Sequence, residues 1–147
     1  MNGNAAAIKY GLLALGLLSA IAFLPRLYKR FKPMQTGWIN VDDLNSRIKD
    51  GTSVTIIDVR GPDEFSGPLG HIPTALNIPL DELPHRLTQI NAAHNQPVIL
   101  VCKTNKRSAR AATLLGEAGI ENTFILRGGM EQWNRNDLDV IKNGEGK

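Results

Sequence analysis

The chain has one cysteine, Cys102, which ends the apolar run Pro97-Val-Ile-Leu-Val-Cys102 and leads into Lys103-Thr104-Asn105-Lys106-Arg107-Ser108. A cysteine thiolate is a competent nucleophile for covalent catalysis. The run before it reads as a buried strand, and the small-residue stretch from Ser108 to Ala118, ended by Gly119, reads as a helix. Cys102 therefore falls at a strand-to-helix turn, and in open α/β sheets sites gather at the carboxyl edge of the strands. Loop amides and a helix N-terminus in that position favour negative charge. Lys103, Lys106, Arg107 and Arg110 cluster around Cys102, and no Asp or Glu occurs from Leu83 to Gly116. Such a loop would draw a small dianion. A cysteine alone is more often a small buried hydrophobe, and cations alone are more often a solvated face. Their coincidence at this turn favours chemistry.

Holding such a turn takes a sheet covered by helices. Val54 to Val59 (VTIIDV) and Thr123 to Leu126 (TFIL) read as further buried strands. Asn40 stands where it could cap a helix starting near Val41, with Asp42 and Asp43 in the favourable first turn. Leu44 and Ile48 share one face of that helix, and Gly51 stops it. Leu80, Leu83, Leu87 and Ile90 repeat at helical spacing, and Trp133 lies in a last short helix. Gly61 to Pro79 is rich in Gly and Pro and reads as loop and turns. Short strands alternating with helices predict an α/β fold, a small and mainly parallel sheet flanked by helices. Nearly all-apolar strands are what burial on both faces requires.

The 147 residues, 42% hydrophobic and 21% charged, fit one globular domain plus a tail. A net charge of +3 with 5% aromatic residues lacks the basic stripe and stacking side chains of a nucleic-acid reader, so no nucleic acid is expected. A lone cysteine excludes an intrachain disulfide and fits a reducing compartment. His71, His85 and His94 lack ligand spacing, so neither a metal nor another cofactor is expected.

Tyr10 to Leu24 (YGLLALGLLSAIAFL) is an uncharged apolar run, extended upstream by Ala5 to Ile8 and interrupted only by Lys9. Residues 5–24 approach the roughly 20 needed to cross about 30 Å of hydrocarbon. Arg26, Lys29, Arg30 and Lys32 follow directly, a pattern that holds that side in the cytoplasm and favours anionic lipid. The division expected is residues 1–33 as a transmembrane anchor with a basic juxtamembrane segment, and residues 34–147 as a domain on the cytoplasmic face of the cell membrane. An integral membrane partner is conceivable for such a tether. Ala20-Ile21-Ala22 also has the look of a signal-peptide cleavage site, but cations directly behind it argue against export.

Several short motifs then occur in one order. Asp58-Val59-Arg60 ends the first predicted strand. Glu64-Phe65 precedes Gly70-His71-Ile72-Pro73 and Ala75-Leu76-Asn77-Ile78-Pro79. Cys102 to Ser108 follows, and Arg127-Gly128-Gly129 precedes Trp133. These resemble the D-x-R, GHIPGAxNIP, C-x-x-G-x-R-S and G-G-x-x-x-W elements of the rhodanese homology domain, and the resemblance runs from about Gly37 to Val140, most of the chain.

The resemblance implies a sulfurtransferase. Cys102 would be the nucleophile and carry sulfur as a persulfide. The small anionic donor would be one such as thiosulfate, and the acceptor a thiol or cyanide. The amides of Lys103, Thr104, Asn105, Lys106 and Arg107, with Ser108 after them, would form the substrate-binding loop. Arg107 would order that loop or pair with the donor. Asp58 and Arg60 would be supporting residues or a structural ion pair, and His71 would be structural. Four residues separate Cys102 from Arg107, whereas related phosphatases and arsenate reductases have one more. The shorter loop fits a sulfur atom rather than a tetrahedral oxyanion.

Three positions depart from the family pattern. Asn105 stands where Gly is usual, and Asn tolerates a left-handed backbone better than most residues. Thr74 replaces a Gly before Ala75, and the stretch Ser66 to Leu69 is two residues longer than the commonest form. A non-enzymatic, membrane-tethered binding or sensing module is the alternative that the anchor and Asn105 leave open.

Overall fold

The computed structural model describes residues 36–91 and 96–142. The apolar run from Tyr10 to Leu24 and the four cations behind it lie outside the described residues, as does His94. Among the described residues no helix is long and apolar enough to cross a membrane.

Strands β1 (Thr36–Ile39), β2 (Thr55–Asp58), β3 (Leu76–Asn77), β4 (Val98–Val101) and β5 (Thr123–Leu126) form one parallel sheet in the order β1-β5-β4-β2-β3. Around it lie helices α1 (Val41–Lys49), α2 (Pro62–Phe65), α3 (Leu87–Asn91), α4 (Lys106–Glu117) and α5 (Gly129–Arg135), with a 3-10 turn at Leu83–His85. Alternation along the strands divides the core in two. Ile57, Val98, Leu100 and Ile125 pack with Ala111, Ala112 and Leu115 of α4. Ile56, Ile99, Val101 and Leu126 pack with Leu44 of α1 and with Met130 and Trp133 of α5. Every residue of β4 is buried, as a central strand covered on both faces demands. Cys102 belongs with the α4-side cluster, in line with Val98 and Leu100.

The expected α/β architecture is present, with differences at its margins. The two short edge strands, β1 and β3, lie where no strand was expected. So does α2, inside the stretch read as loop. Gly61-Pro62 starts that helix well, because Pro in the first turn gives up no hydrogen bond and Asp63 and Glu64 complement the dipole. The continuous helix expected through Ile90 is broken. Pro84 has no N–H to donate to Leu80, and the chain tightens to shorter bonds, His85 to Glu82 at 3.0 Å and Arg86 to Leu83 at 3.2 Å. Asn40 holds the extended cap conformation, yet its side chain makes no capping bond and donates to Asp43 at 3.4 Å instead.

Candidate active site

Cys102 lies one residue beyond β4 and is 1% exposed. The loop Lys103–Asn105 joins it to α4, which starts at Lys106, earlier than the sequence pattern suggested. Two hydrogen bonds fix the loop from behind. The Met130 amide donates to the Cys102 carbonyl at 2.9 Å, and the Glu131 amide to the Lys103 carbonyl at 3.0 Å. The first turn of α5 is thus satisfied by loop carbonyls rather than by a capping side chain.

That contact requires glycine. Gly128 and Gly129 both hold positive φ, +76° and +55°, and a Cβ on Gly129 would lie 2.3 Å from the carbonyl oxygens of Cys102 and Thr104. In the sequence the Gly-Gly pair reads only as a motif. Its work is to let a helix end approach the loop backbone.

Peptide planarity carries the consequence forward. In a trans peptide the carbonyl and the next N–H point in opposite directions. With the Cys102 and Lys103 carbonyls turned toward α5, the amides of Lys103 and Thr104 point away from it. The amides of Lys106, Arg107 and Ser108 open the N-terminus of α4 and have no partner in the helix. Among the described residues no acceptor meets any amide from Lys103 to Ser108. The loop is therefore a row of unpaired donors directly following Cys102. Asn105 has φ −158°, so the loop needs no left-handed residue at the position where Gly is usual. The left-handed departure is at Thr74, with φ +69°.

The Ser108 side chain is fully buried, and its hydroxyl has no hydrogen-bond partner. A buried hydroxyl left unpaired costs about 1–3 kcal/mol.

Asp58 and Arg60 form a buried pair just past β2, each about 1% exposed. Arg60 Nε donates to both Asp58 oxygens at 2.9 and 3.0 Å, and Nη2 reaches Asp58 at 2.6 Å and the Gly70 carbonyl at 2.7 Å. Asn77 ties the same turn down by donating to the carbonyls of Asp58 and Arg60. The pair is closed on itself and anchors the 58–60 turn to Gly70. His71 stacks on Phe65 with ring centroids 3.6 Å apart, and its Nδ1 lies 3.0 Å from the Phe65 carbonyl.

Arg107 reaches back from α4 to Glu64 of α2. Nη1 donates to Oε2 at 2.5 Å and Nη2 to Oε1 at 2.8 Å, a bidentate pair. The hydrogen bond from Arg107 holds the Glu64 carboxyl below its ordinary value, and the bond from Glu64 raises the Arg107 guanidinium, with Cys102 and Asp58 adding smaller electrostatic contributions. Lys103 lies 3.7 Å from Glu131. The loop's local sequence contains no acid, but the fold brings two carboxylates to its cations. Glu64 also lines a cleft of about 250 Å³ with Arg60, Pro68, Leu69 and Lys103.

This geometry coincides with matches to known proteins. The rhodanese-like domain profile matches residues 40–136. The chain belongs to the rhodanese-like domain family. A sulfurtransferase from Allochromatium vinosum is 31% identical over 103 residues, 70% of this chain and 92% of that protein. The uncharacterized protein YqhL of Bacillus subtilis is 44% identical over 78 residues, 53% of this chain and 59% of its own length. Among solved structures, a rhodanese-related protein from Thermoplasma volcanium is similar with a TM-score of 0.63 at 30% identity, covering 71% of this chain and 97% of that one. The fold described above is the rhodanese-like fold.

Proposed function

We propose that this rhodanese-like protein is a sulfurtransferase that moves sulfane sulfur from a donor such as thiosulfate to a thiol or cyanide acceptor through a persulfide on Cys102. The observation that carries the reading is the row of unpaired amides from Lys103 to Ser108 after a buried cysteine. In the first half-reaction the Cys102 thiolate attacks the outer sulfur of thiosulfate. A new S–S bond forms, the donor S–S bond breaks, and its electron pair leaves with sulfite. In the second, the acceptor thiolate or cyanide attacks the outer sulfur and Cys102 leaves as thiolate. The charge never disappears during either step, so preorganised donors that do not have to reorient are suited to it. The Ser108 hydroxyl is available as a further donor to the sulfur.

Mass spectrometry of the purified protein after thiosulfate treatment tests this reading. One added sulfur on Cys102, removed by a thiol acceptor, is expected. A free Cys102 thiol that gains no sulfur sinks it. Cys102→Ser should lose turnover with an unchanged melting profile. The alternative of a non-catalytic module draws on the anchor and on Asn105, whose φ of −158° lies outside the left-handed region.

Residues 5–24 and the cations behind them support a tether that leaves the domain in the cytoplasm. Digestion of the domain by protease added to sealed inverted membranes is the expected result. Protection there would overturn the orientation.

A further inference from the structure

We infer that the cleft between α4 and the turns after β2 and β3 binds the amino-acid end of a small thiol, its carboxylate at Arg110 and its ammonium at Asp81. The role of that thiol as sulfur acceptor rests on the sulfurtransferase reading, and the inference names the acceptor class. The cleft has a volume of about 310 Å³, with Val59, Pro79, Leu80 and Leu114 as apolar walls and Asp81 and Arg110 lining it as well. Those walls begin beside the loop. The Val59 amide donates to the carbonyl of Val101, the residue before Cys102, at 2.8 Å, and the Leu80 amide donates to the Val59 carbonyl at 3.2 Å. Val59 and Cys102 belong to one apolar cluster, with Leu80 and Leu114 packed against it. The cleft does not have to hold the sulfur itself, because a peptide-length thiol such as glutathione carries its amino-acid end several single bonds from its sulfur.

The charges of the cleft select the ligand. Arg107 lines it too, but Glu64 holds its guanidinium at both Nη atoms. Glu82, next to Asp81, is taken by Arg86 at 3.0 Å. Asp81 and Arg110 are exposed and have no ion pair or hydrogen-bond partner among the described residues. Two opposite charges therefore line one cleft without meeting, which suits a ligand that carries both. Lys106, one turn before Arg110, is likewise unpaired among the described residues, so this end of α4 is net positive. No acid lies in the first turn of α4. Cations there oppose the helix dipole, and Lys106 and Arg110, four residues apart, repel each other. A bound carboxylate relieves both effects.

In the transfer, the acceptor thiolate attacks the outer sulfur of the Cys102 persulfide. A new S–S bond forms as the old one breaks, and the electron pair of the old bond stays on Cys102 as thiolate.

The experiment measures kcat/KM in the full chain for glutathione and for 2-mercaptoethanol, which has no charged end, with thiosulfate as donor. The variants are Arg110→Gln and Asp81→Asn, with Lys49→Gln as control on α1, which packs on the other face of the sheet. Exposed ion pairs are individually weak, so the ratio of glutathione to 2-mercaptoethanol should fall about three- to fivefold in each cleft variant, through KM, and less at high salt. Lys49→Gln should leave it unchanged. Binding of S-methylglutathione, followed by NMR titration, should weaken by a similar factor, and this readout needs no sulfur transfer. A ratio unchanged in either cleft variant, rates that fall equally for both thiols, or an equal fall in Lys49→Gln overturns the inference. So does a wild-type chain that binds S-methylglutathione no better than the cleft variants do. A wild-type chain that takes no sulfur onto Cys102, yet binds S-methylglutathione better than both variants, overturns the sulfurtransferase reading and supports the cleft as the binding site.

Discussion

Ser108 is buried within α4 among alanines and leucines, and its hydroxyl meets nothing. In a resting protein that is a cost without a return. Ser108→Ala should therefore stabilise the fold by about 1 kcal/mol in chemical denaturation, since removing an orphaned buried hydroxyl costs nothing in hydrogen bonds. It should also slow persulfide formation about three- to tenfold in stopped-flow assays, because a donor to the incoming sulfur is lost. A variant that is destabilised would mean the hydroxyl has an acceptor in the resting state. Thr74 presents the complementary case. It is exposed and β-branched, and it sits at φ +69°. Left-handed non-glycine residues cost about 1–3 kcal/mol. Thr74→Gly should raise stability by about 1 kcal/mol even after the entropy that glycine adds to the unfolded chain. Thermal melts check it, and a lowered midpoint would count against the strain.

Two elements converge on the loop after Cys102, and each makes a separate contribution. The N-terminus of α5 grips the loop carbonyls, and Gly129 makes the grip possible. Gly129→Ala should cost about 3 kcal/mol or more and should disable sulfur transfer, because the added methyl meets backbone on two sides. Gly119→Ala is the control. Its φ is +83° but nothing lies within 4 Å of the added Cβ, so about 1 kcal/mol is expected, with activity kept. The other contribution is the tie from α2 to α4 through Glu64 and Arg107. Glu64 is held below its ordinary value of 4.5, so the pair's stabilisation is present above pH 4.5 and is lost as pH falls through the lower folded-state value. The two side chains are 41% and 35% exposed, which keeps the contribution small after solvent screening. Wild type and Glu64→Gln should differ slightly in melting above pH 5 and converge in acid. A difference that grew on acidification would contradict the sign.

At the scale of the whole molecule, what the sequence made legible follows from how local each cause is. β4, β5 and the centre of β2 are short runs of apolar residues, and their burial can be read from composition alone. β1 and β3 depend on neighbours. A two-residue strand such as Leu76–Asn77 exists only because Ile57 and Asp58 lie beside it. The end of the Leu80–Ile90 helix turned on one missing N–H at Pro84, a local cause that the apolar repeat concealed. Cys102 and its loop were legible as a strand-to-helix turn because both lie within seven consecutive residues. Glu64 was not, since its partner is 43 residues away. Gly129 was present as a motif, but a close approach between two backbones leaves no mark in residue type beyond the absence of a side chain. The carboxylates that meet Lys103 and Arg107 were hidden for the same reason, because acids absent from the local sequence return through the fold.

The grip of α5 on the loop has one further implication. The loop's unpaired donors are main-chain amides, held by other main-chain groups, and they are the same whatever side chains the loop carries. Lys103, Asn105 and Lys106 are exposed and could be exchanged without disturbing that arrangement. On the sulfurtransferase reading, the chemistry is written in the backbone and the choice of partner in the side chains. A library that randomises only those three positions should yield catalysts differing in what they accept while sharing one rate-supporting frame, which makes this small domain a candidate for laboratory redirection.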